Sequence, residues 1–175
     1  MENIRKLSPN SLAFIALTNE YCHAIENVAE NDREQFAAAM LKLLPRIYIV
    51  AIDLDTDVLY SDYELIPALE EEAYNQVRDL VSMVMAEEDV YLEVFMEDMK
   101  YSDLPIATSV SENLADLYQE FFNFIASVKD ATTEAQQELI GLCKANFRNY
   151  WGQTLCNVLR ALNTVYYNLS SDTDY

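Results

Sequence analysis

The chain has 175 residues, of which 51% are hydrophobic, and a formal charge of −19 at pH 7. This length and this apolar share are those of one folded domain and exclude a wholly disordered chain. The low content of turn residues, 2 Gly and 4 Pro, argues against an all-β fold. The excess of 30 Asp and Glu over 11 Lys and Arg argues against a nucleic-acid-binding surface.

The first two predicted helices lie before residue 55. Ser8-Pro9 is a helix-start signal, and apolar residues at helical spacing continue from it to about residue 30. Asn31-Asp32 offers the N-cap of a second helix, whose apolar face continues in phase past Pro45. A proline inside a helix removes one backbone hydrogen bond, so we predict one kinked helix here rather than two helices.

The middle of the chain is less regular. Residues 55–65 are predicted to form a loop, after which Pro67 opens a third helix. Residues 88–108 contain an apolar alternation typical of a strand, but no partner strand is evident, so we expect short helical or extended segments that wrap the bundle. The predicted core side of the third helix consists of Leu69, Ala73, Val77, Leu80 and Val84.

The fourth predicted helix is the most clearly amphipathic one. Ser109 and Glu112 form a capping-box pattern at its start. Behind them, apolar residues recur at helical spacing up to Val128. The outer side of this helix is predicted to carry Glu112, Asp116, Gln119 and Asn123.

The final helix is predicted to be long. Thr133 and Gln136 form another capping-box pattern, and one apolar line that includes Trp151 continues from there to about residue 168. Because Gly141 and Gly152 do not shift its phase, we predict one helix over 133–168 with Trp151 in the core. Residues 168–175 are predicted to form a frayed tail. Residues 1–175 therefore form one all-α domain, an antiparallel bundle of about five to six helices.

Targeting signals and cysteines indicate the compartment. The N-terminal residues lack the apolar region of a secretory signal, and no stretch approaches the roughly 20 uncharged apolar residues of a membrane span. The three cysteines are odd in number and match neither a disulfide framework nor a zinc pattern. We therefore expect a cytoplasmic protein with free thiols and no membrane partner.

The negative charge is concentrated in one part of the chain. Residues 53–120 contain 19 Asp or Glu against Arg78 and Lys100, a balance of −17, and the other residues share the remaining −2. A solvated surface that aids solubility accounts for this asymmetry, and so does an interaction face for a basic protein or for cations.

Two short motifs have the spacing of metal sites. Glu20-x-x-His23 resembles half of a di-iron site, but such bundles need a second pair and the chain has only one His. Both side chains lie opposite the apolar stripe, so His23 is predicted to be exposed. Asp53, Asp55, Asp57 and Glu64 have the spacing of an EF-hand loop, but Val58 replaces the required Gly, so we expect no calcium site.

Four stretches carry a resemblance to a known family. They are Leu17–Cys22 (LTNEYC), Asp89–Phe95 (DVYLEVF), Ser109–Gln119 (SVSENLADLYQ) and Tyr150–Leu162 (YWGQTLCNVLRAL). Together they resemble a bacterial family of all-helical single domains that is described as a domain of unknown function. The resemblance implies a cytoplasmic helical bundle and brings no activity and no site residue with it.

The sequence therefore predicts no catalytic residue, no metal ligand and no cofactor. Our first functional hypothesis is a non-enzymatic interaction or regulatory module that meets a basic protein through the acidic residues 53–120. The alternative is a helical bundle that binds a small ligand or a metal in a polar pocket between helices. Neither the identity of a partner nor the oligomeric state follows from the sequence.

Overall fold

The computed structural model describes residues 6–56, 61–93 and 105–172. It is 77% helical, which confirms the predicted all-α bundle. The helices are α1 (Pro9–Glu26), α2 (Arg33–Ile52), α3 (Glu71–Met85), α4 (Val110–Val128), α5 (Thr133–Asn146) and α6 (Gly152–Asp172). A π-helical turn, Phe147–Trp151, joins α5 to α6, so these elements together form the long C-terminal helix that the apolar line predicts.

The starts of α1 and α2 follow their capping residues. The Ser8 side chain accepts a hydrogen bond from the backbone N–H of Ser11, and Asp32 and Gln35 form a complete capping box. Helix α1 ends at Glu26, and a separate 3₁₀ turn, Val28–Glu30, completes the predicted first helix. Pro45 lies inside α2, which is a single helix as predicted.

Helix α3 begins later than the sequence predicts, at Glu71 rather than at Pro67. The N–H groups of Ala68 and Leu69 donate instead to the side-chain oxygen of Asn123 on α4, so this segment is held as a connection. The core side also differs, because Val77 is buried as predicted but Val81 and Met85 are the other buried residues of α3.

The strand-like alternation after residue 88 does have a partner. Strand β1 (Val90–Leu92) pairs antiparallel with β2 (Ala107–Ser109), and Val90 lies opposite Ser109. The partner was not evident in the sequence because β2 is only three residues long and leads directly into α4. Ser109 then caps α4 by accepting a hydrogen bond from the N–H of Glu112, as predicted.

The C-terminal helix differs from its prediction at three places. Its N-cap is Thr132, one residue before the predicted Thr133, and its path contains the π-helical turn. Helical structure also continues to Asp172, four residues beyond the predicted boundary at 168.

Trp151 lies at the centre of the core, which confirms its predicted placement. It is fully buried, and its ring centroid lies 5.0 Å from that of Phe121 and 4.6 Å from that of Phe147. Its indole N–H donates to the carbonyl oxygen of Cys143 at 3.1 Å, so the one polar atom of the side chain is satisfied.

Helix α2 is a long, apolar helix. By length and composition alone it is able to cross a membrane. Seven of its residues are buried in the bundle, where α2 packs on α1 and α6. This packing accounts for the apolar side of α2.

Candidate functional site

The Glu20 and His23 side chains are exposed, as predicted. Glu20 forms an ion pair with Arg46 at 3.3 Å, and His23 lies 3.5 Å from Glu26. Each residue of the motif therefore has a surface partner of its own, and the two do not form a joint site.

The calcium-type loop lies partly outside the described residues, since these exclude 57–60 and with them Asp57 and Val58. Asp53 and Glu64 are exposed, and Asp53 is the C-cap residue of α2. Among the residues that the structure describes, no group of three or more His, Cys, Asp or Glu side chains is placed to hold a metal ion.

Exposed carboxylates cover the side of α3 and the start of α4. Glu71 and Glu72 lie in the first turn of α3, and Glu112 lies in the first turn of α4. We call these three residues the acidic surface. Arg78 is the only Lys or Arg of residues 53–120 that the structure describes, and its guanidinium already pairs with Asp79 at 2.9 Å.

A polar cleft of about 310 Å³ lies between α4, the β1–β2 pair and the beginning of α6. Among the residues that the structure describes, two carboxylates, four amides and three hydroxyl groups line it, without a Lys, Arg or His. These nine residues are Glu93, Thr108, Asn113, Asp116, Asn149, Tyr150, Gln153, Thr154 and Asn157. The lining therefore favours a ligand that is uncharged or positively charged.

Asp116 is held in the cleft by two tyrosines. Tyr74 on α3 donates to Oδ1 at 2.8 Å, and Tyr150 in the π-helical turn donates to Oδ2 at 3.0 Å. Burial raises the pKa of Tyr150 to about 12, and the negative charge of Asp116 contributes. Both hydroxyl groups are thus neutral donors at pH 7. The carboxylate is fixed in orientation while its charge is not neutralised by either tyrosine.

Strand β1 forms one wall of the cleft and is fixed to α4 by Asp89. The buried carboxylate of Asp89 accepts hydrogen bonds from the N–H and the hydroxyl of Ser111 at 2.8 and 2.7 Å. Two residues further along, the Tyr91 hydroxyl donates to Oδ1 of Asn113 at 2.6 Å. This contact identifies the Asn113 oxygen as an acceptor, and one further lone pair of that oxygen remains.

Asn157 is the most unusual lining residue. It is only 8% exposed, and its amide makes no hydrogen bond to any residue that the structure describes. It lines the cleft and also borders a second depression of about 360 Å³. Among the described residues the one fully buried, unpaired side-chain atom is the Thr56 hydroxyl, so the Asn157 amide reaches the open space of the clefts and is available to a ligand there.

The π-helical turn positions Tyr150 and Asn149 at the mouth of the cleft. Such a turn inserts one extra residue into the helical path and occurs frequently at functional sites. It brings Gly152 against Phe147, since a Cβ on Gly152 would lie 2.6 Å from the Phe147 carbonyl oxygen. Glycine is therefore required at this position.

The cleft brings together three of the stretches that carry the family resemblance. Glu93 belongs to the stretch Asp89–Phe95, and Asn113 and Asp116 belong to Ser109–Gln119. The stretch Tyr150–Leu162 supplies four lining residues. The family described as domain of unknown function (DUF5063) matches residues 5–168. The chain belongs to the DUF5063 family.

The solved structures similar to this DUF5063 chain include that of a bacterial protein. It is the crystal structure of protein BF1032 from Bacteroides fragilis, which is 30% identical with a TM-score of 0.78. The match covers 90% of this chain and 92% of that one, so it extends over nearly the whole fold. No curated protein matches the chain.

The sequence reasoning missed the residues of this cleft. It placed Asp116 on an outer, solvated side of α4, whereas the structure covers this side with α3 and with the π-helical turn. One signal was available, because polar residues at 149, 150, 153, 154 and 157 recur at helical spacing and form a polar stripe along a helix that is otherwise apolar.

Proposed function

We propose that this DUF5063 domain is a non-enzymatic interaction module of the bacterial cytoplasm that binds a basic protein through its acidic side. The observation that carries the proposal is the excess of exposed carboxylates over cations on α3 and at the start of α4, where Arg78 lies within electrostatic range of Glu112. Glu71, Glu72 and Glu112 are exposed on neighbouring helices, and the one described cation of the segment is bound to Asp79. Like charges held together raise the free energy of the folded state, and a positively charged partner relieves this repulsion.

The nucleophiles of the chain support a binding role rather than catalysis. The only histidine is exposed and contacts Glu26, so it activates no neighbouring hydroxyl or thiol. Burial raises the pKa of Cys22 to about 12 and raises that of Cys143 further, which suppresses the reactive thiolate of both residues.

A second candidate function is the binding of a small polar ligand in the cleft. The specific observation that favours it is the nearly buried and unpaired amide of Asn157. The cleft volume of about 310 Å³ is at the lower end of the range for ligand pockets, roughly 300–1,000 Å³, which suits a small group rather than a nucleotide cofactor.

The test compares two variants that lose the same number of charges. The acidic-surface variant carries Glu71→Gln, Glu72→Gln and Glu112→Gln, and the control carries Glu30→Gln, Glu34→Gln and Glu134→Gln, which are exposed residues in first turns elsewhere. Affinity purification from the native cell with quantitative mass spectrometry should retain basic proteins with wild type and control but lose them with the acidic-surface variant. Equal capture by all three proteins would refute the proposed function.

A further inference from the structure

We propose that the polar cleft is a binding site for a guanidinium group, and that the group is an arginine side chain of the basic partner. This inference rests on the proposed function and adds the specific contact to it. The inference is based on three observations. They are the charge and acceptors of the cleft, the unpaired amide of Asn157, and the proximity of the acidic surface.

The charge of the lining selects a cation. Asp116 and Glu93 are the carboxylates of the described lining, and this described lining contains no Lys, Arg or His. Each oxygen of Asp116 accepts one tyrosine hydroxyl, which occupies one lone pair per oxygen and leaves the other available. A carboxylate with both oxygens available accepts the paired N–H groups of a guanidinium in the bidentate arrangement.

The amides select guanidinium over ammonium. A guanidinium carries five N–H donors in one plane, so it needs several acceptors at fixed positions. The Asn157 oxygen is one such acceptor, because its amide is unpaired in the described part of the chain and lines the cleft. Tyr150 adds an aromatic ring of the kind on which guanidinium groups stack. A lysine ammonium group is a compact charge on a flexible chain, so it matches acceptors at fixed positions and an aromatic ring less well than a guanidinium does.

The position of the cleft suits a side chain that a docked partner presents. Asp116 and the exposed Glu112 are one turn apart on α4, and both charges act on Tyr74 of α3. The cleft therefore opens beside the acidic surface. A partner attracted by the exposed carboxylates would have an arginine within reach of Asp116, and the exposed charges would mainly increase the rate of association.

The first part of the test uses N-acetyl-arginine amide as the probe and follows the backbone amide signals of the protein by NMR. The matched controls are N-acetyl-citrulline amide, which has the same shape without charge, and N-acetyl-lysine amide, which has the charge without the planar fork. We expect saturable shifts at Asn113, Asp116 and Asn157 with the arginine probe, at least fivefold weaker binding of the lysine probe and no shifts with citrulline.

Variants of the cleft then test the residues. Asp116→Asn and Asn157→Ala should each weaken binding of the arginine probe about tenfold or more, whereas Glu134→Gln, which removes one charge elsewhere, should leave it unchanged. Asn157→Ala provides a second test if Asp116→Asn disturbs the two tyrosines, because Asn157 has no hydrogen-bond partner among the described residues. Absence of shifts at the cleft, or equal binding by Asn157→Ala, would overturn the proposal.

Capture of the partner separates this inference from the proposed function. If Asn157→Ala loses the partners that the acidic-surface variant also loses, the arginine comes from the partner as proposed. If only the acidic-surface variant loses them, the function stands and the inference is wrong. If neither variant loses them but the arginine probe binds, the proposed function is wrong, and the cleft takes a free guanidinium compound instead of a partner side chain.

Discussion

Glu120 lies one turn after Asp116 on α4 and is partly buried. Burial raises the pKa of its carboxyl group, the Asn146 amide opposes this by donating to Oε2 at 3.2 Å, and the charge of Asp116 raises the pKa further. The folded-state pKa is therefore above the unfolded value of about 4.3. For a carboxyl group this means that ionisation destabilises the fold, and that stability decreases as the pH rises from about 4 through the folded-state pKa.

Glu120→Gln should raise the melting temperature at pH 7 and change it much less near pH 4, where the carboxyl is mostly neutral in both states. Glutamine keeps an oxygen that accepts the Asn146 hydrogen bond and removes the burial of a charge. Thermal unfolding of wild type and variant between pH 4 and pH 8 measures the difference. Glu64→Gln, an exposed change in the same acidic segment, is the control. A gain at pH 7 that persists at pH 4 would contradict the electrostatic cause.

At the scale of the element, the π-helical turn decides the geometry of the cleft. A regular α-helix through residues 147–151 would continue the apolar line without interruption, as the sequence predicts. The extra residue of the turn allows Trp151 to reach the core while Tyr150, the preceding residue, is 47% exposed and reaches Asp116. The turn thus serves the core and the cleft at the same time.

Gly152→Ala tests the turn. In an ordinary helix this change stabilises by about 1 kcal/mol. Here the new Cβ would lie 2.6 Å from the carbonyl oxygen of Phe147 and 2.8 Å from its ring, so the turn must shift. We expect the free energy of unfolding to fall by about 1–3 kcal/mol, as for other overpacked sites. Urea unfolding measures this value, and a stabilised variant would show that the backbone approach at Gly152 is looser than the structure gives.

At the scale of the whole molecule, the net negative charge destabilises the folded state. A net charge of −19 on 175 residues repels itself in the compact state more than in the expanded unfolded chain. Ion pairs relieve little of this repulsion. In the described pairs of Arg33 with Glu87 and of Arg46 with Glu20 the glutamate side chain is largely exposed, so water and salt screen the attraction.

Raising the KCl concentration from 0.1 M to 1 M should therefore raise the melting temperature, since the Debye length falls from about 10 Å to about 3 Å. The acidic-surface variant should start from a higher melting temperature and respond less to salt than the control variant. Calorimetry in KCl solutions measures both responses. A melting temperature that does not change with salt, or equal responses of the two variants, would indicate that the three carboxylates do not interact.

Much of the fold was predictable because it depends on local patterns. Ser8, Asp32 and Ser109 act as N-caps where the sequence places them, since a cap is a contact within one turn. The apolar stripe of the last helix identified Trp151 as a core residue, because apolar side chains at a period of 3.6 residues share one side of a helix. The start of α3 was wrong, since a contact from the distant Asn123 holds Ala68 and Leu69 outside the helix.

By itself, the sequence determined the all-α class, the long final helix, the family and the concentration of negative charge, because each of these is a property of neighbouring residues or of composition. Only the tertiary structure decided where Asp116 and Asn157 lie. These residues are 41 positions apart on different helices, and no periodic pattern in the sequence marks the π-helical turn that brings the two helices into this arrangement. Which polar residues share a cleft depends on how helices pack, and packing is decided by contacts between residues far apart in the chain.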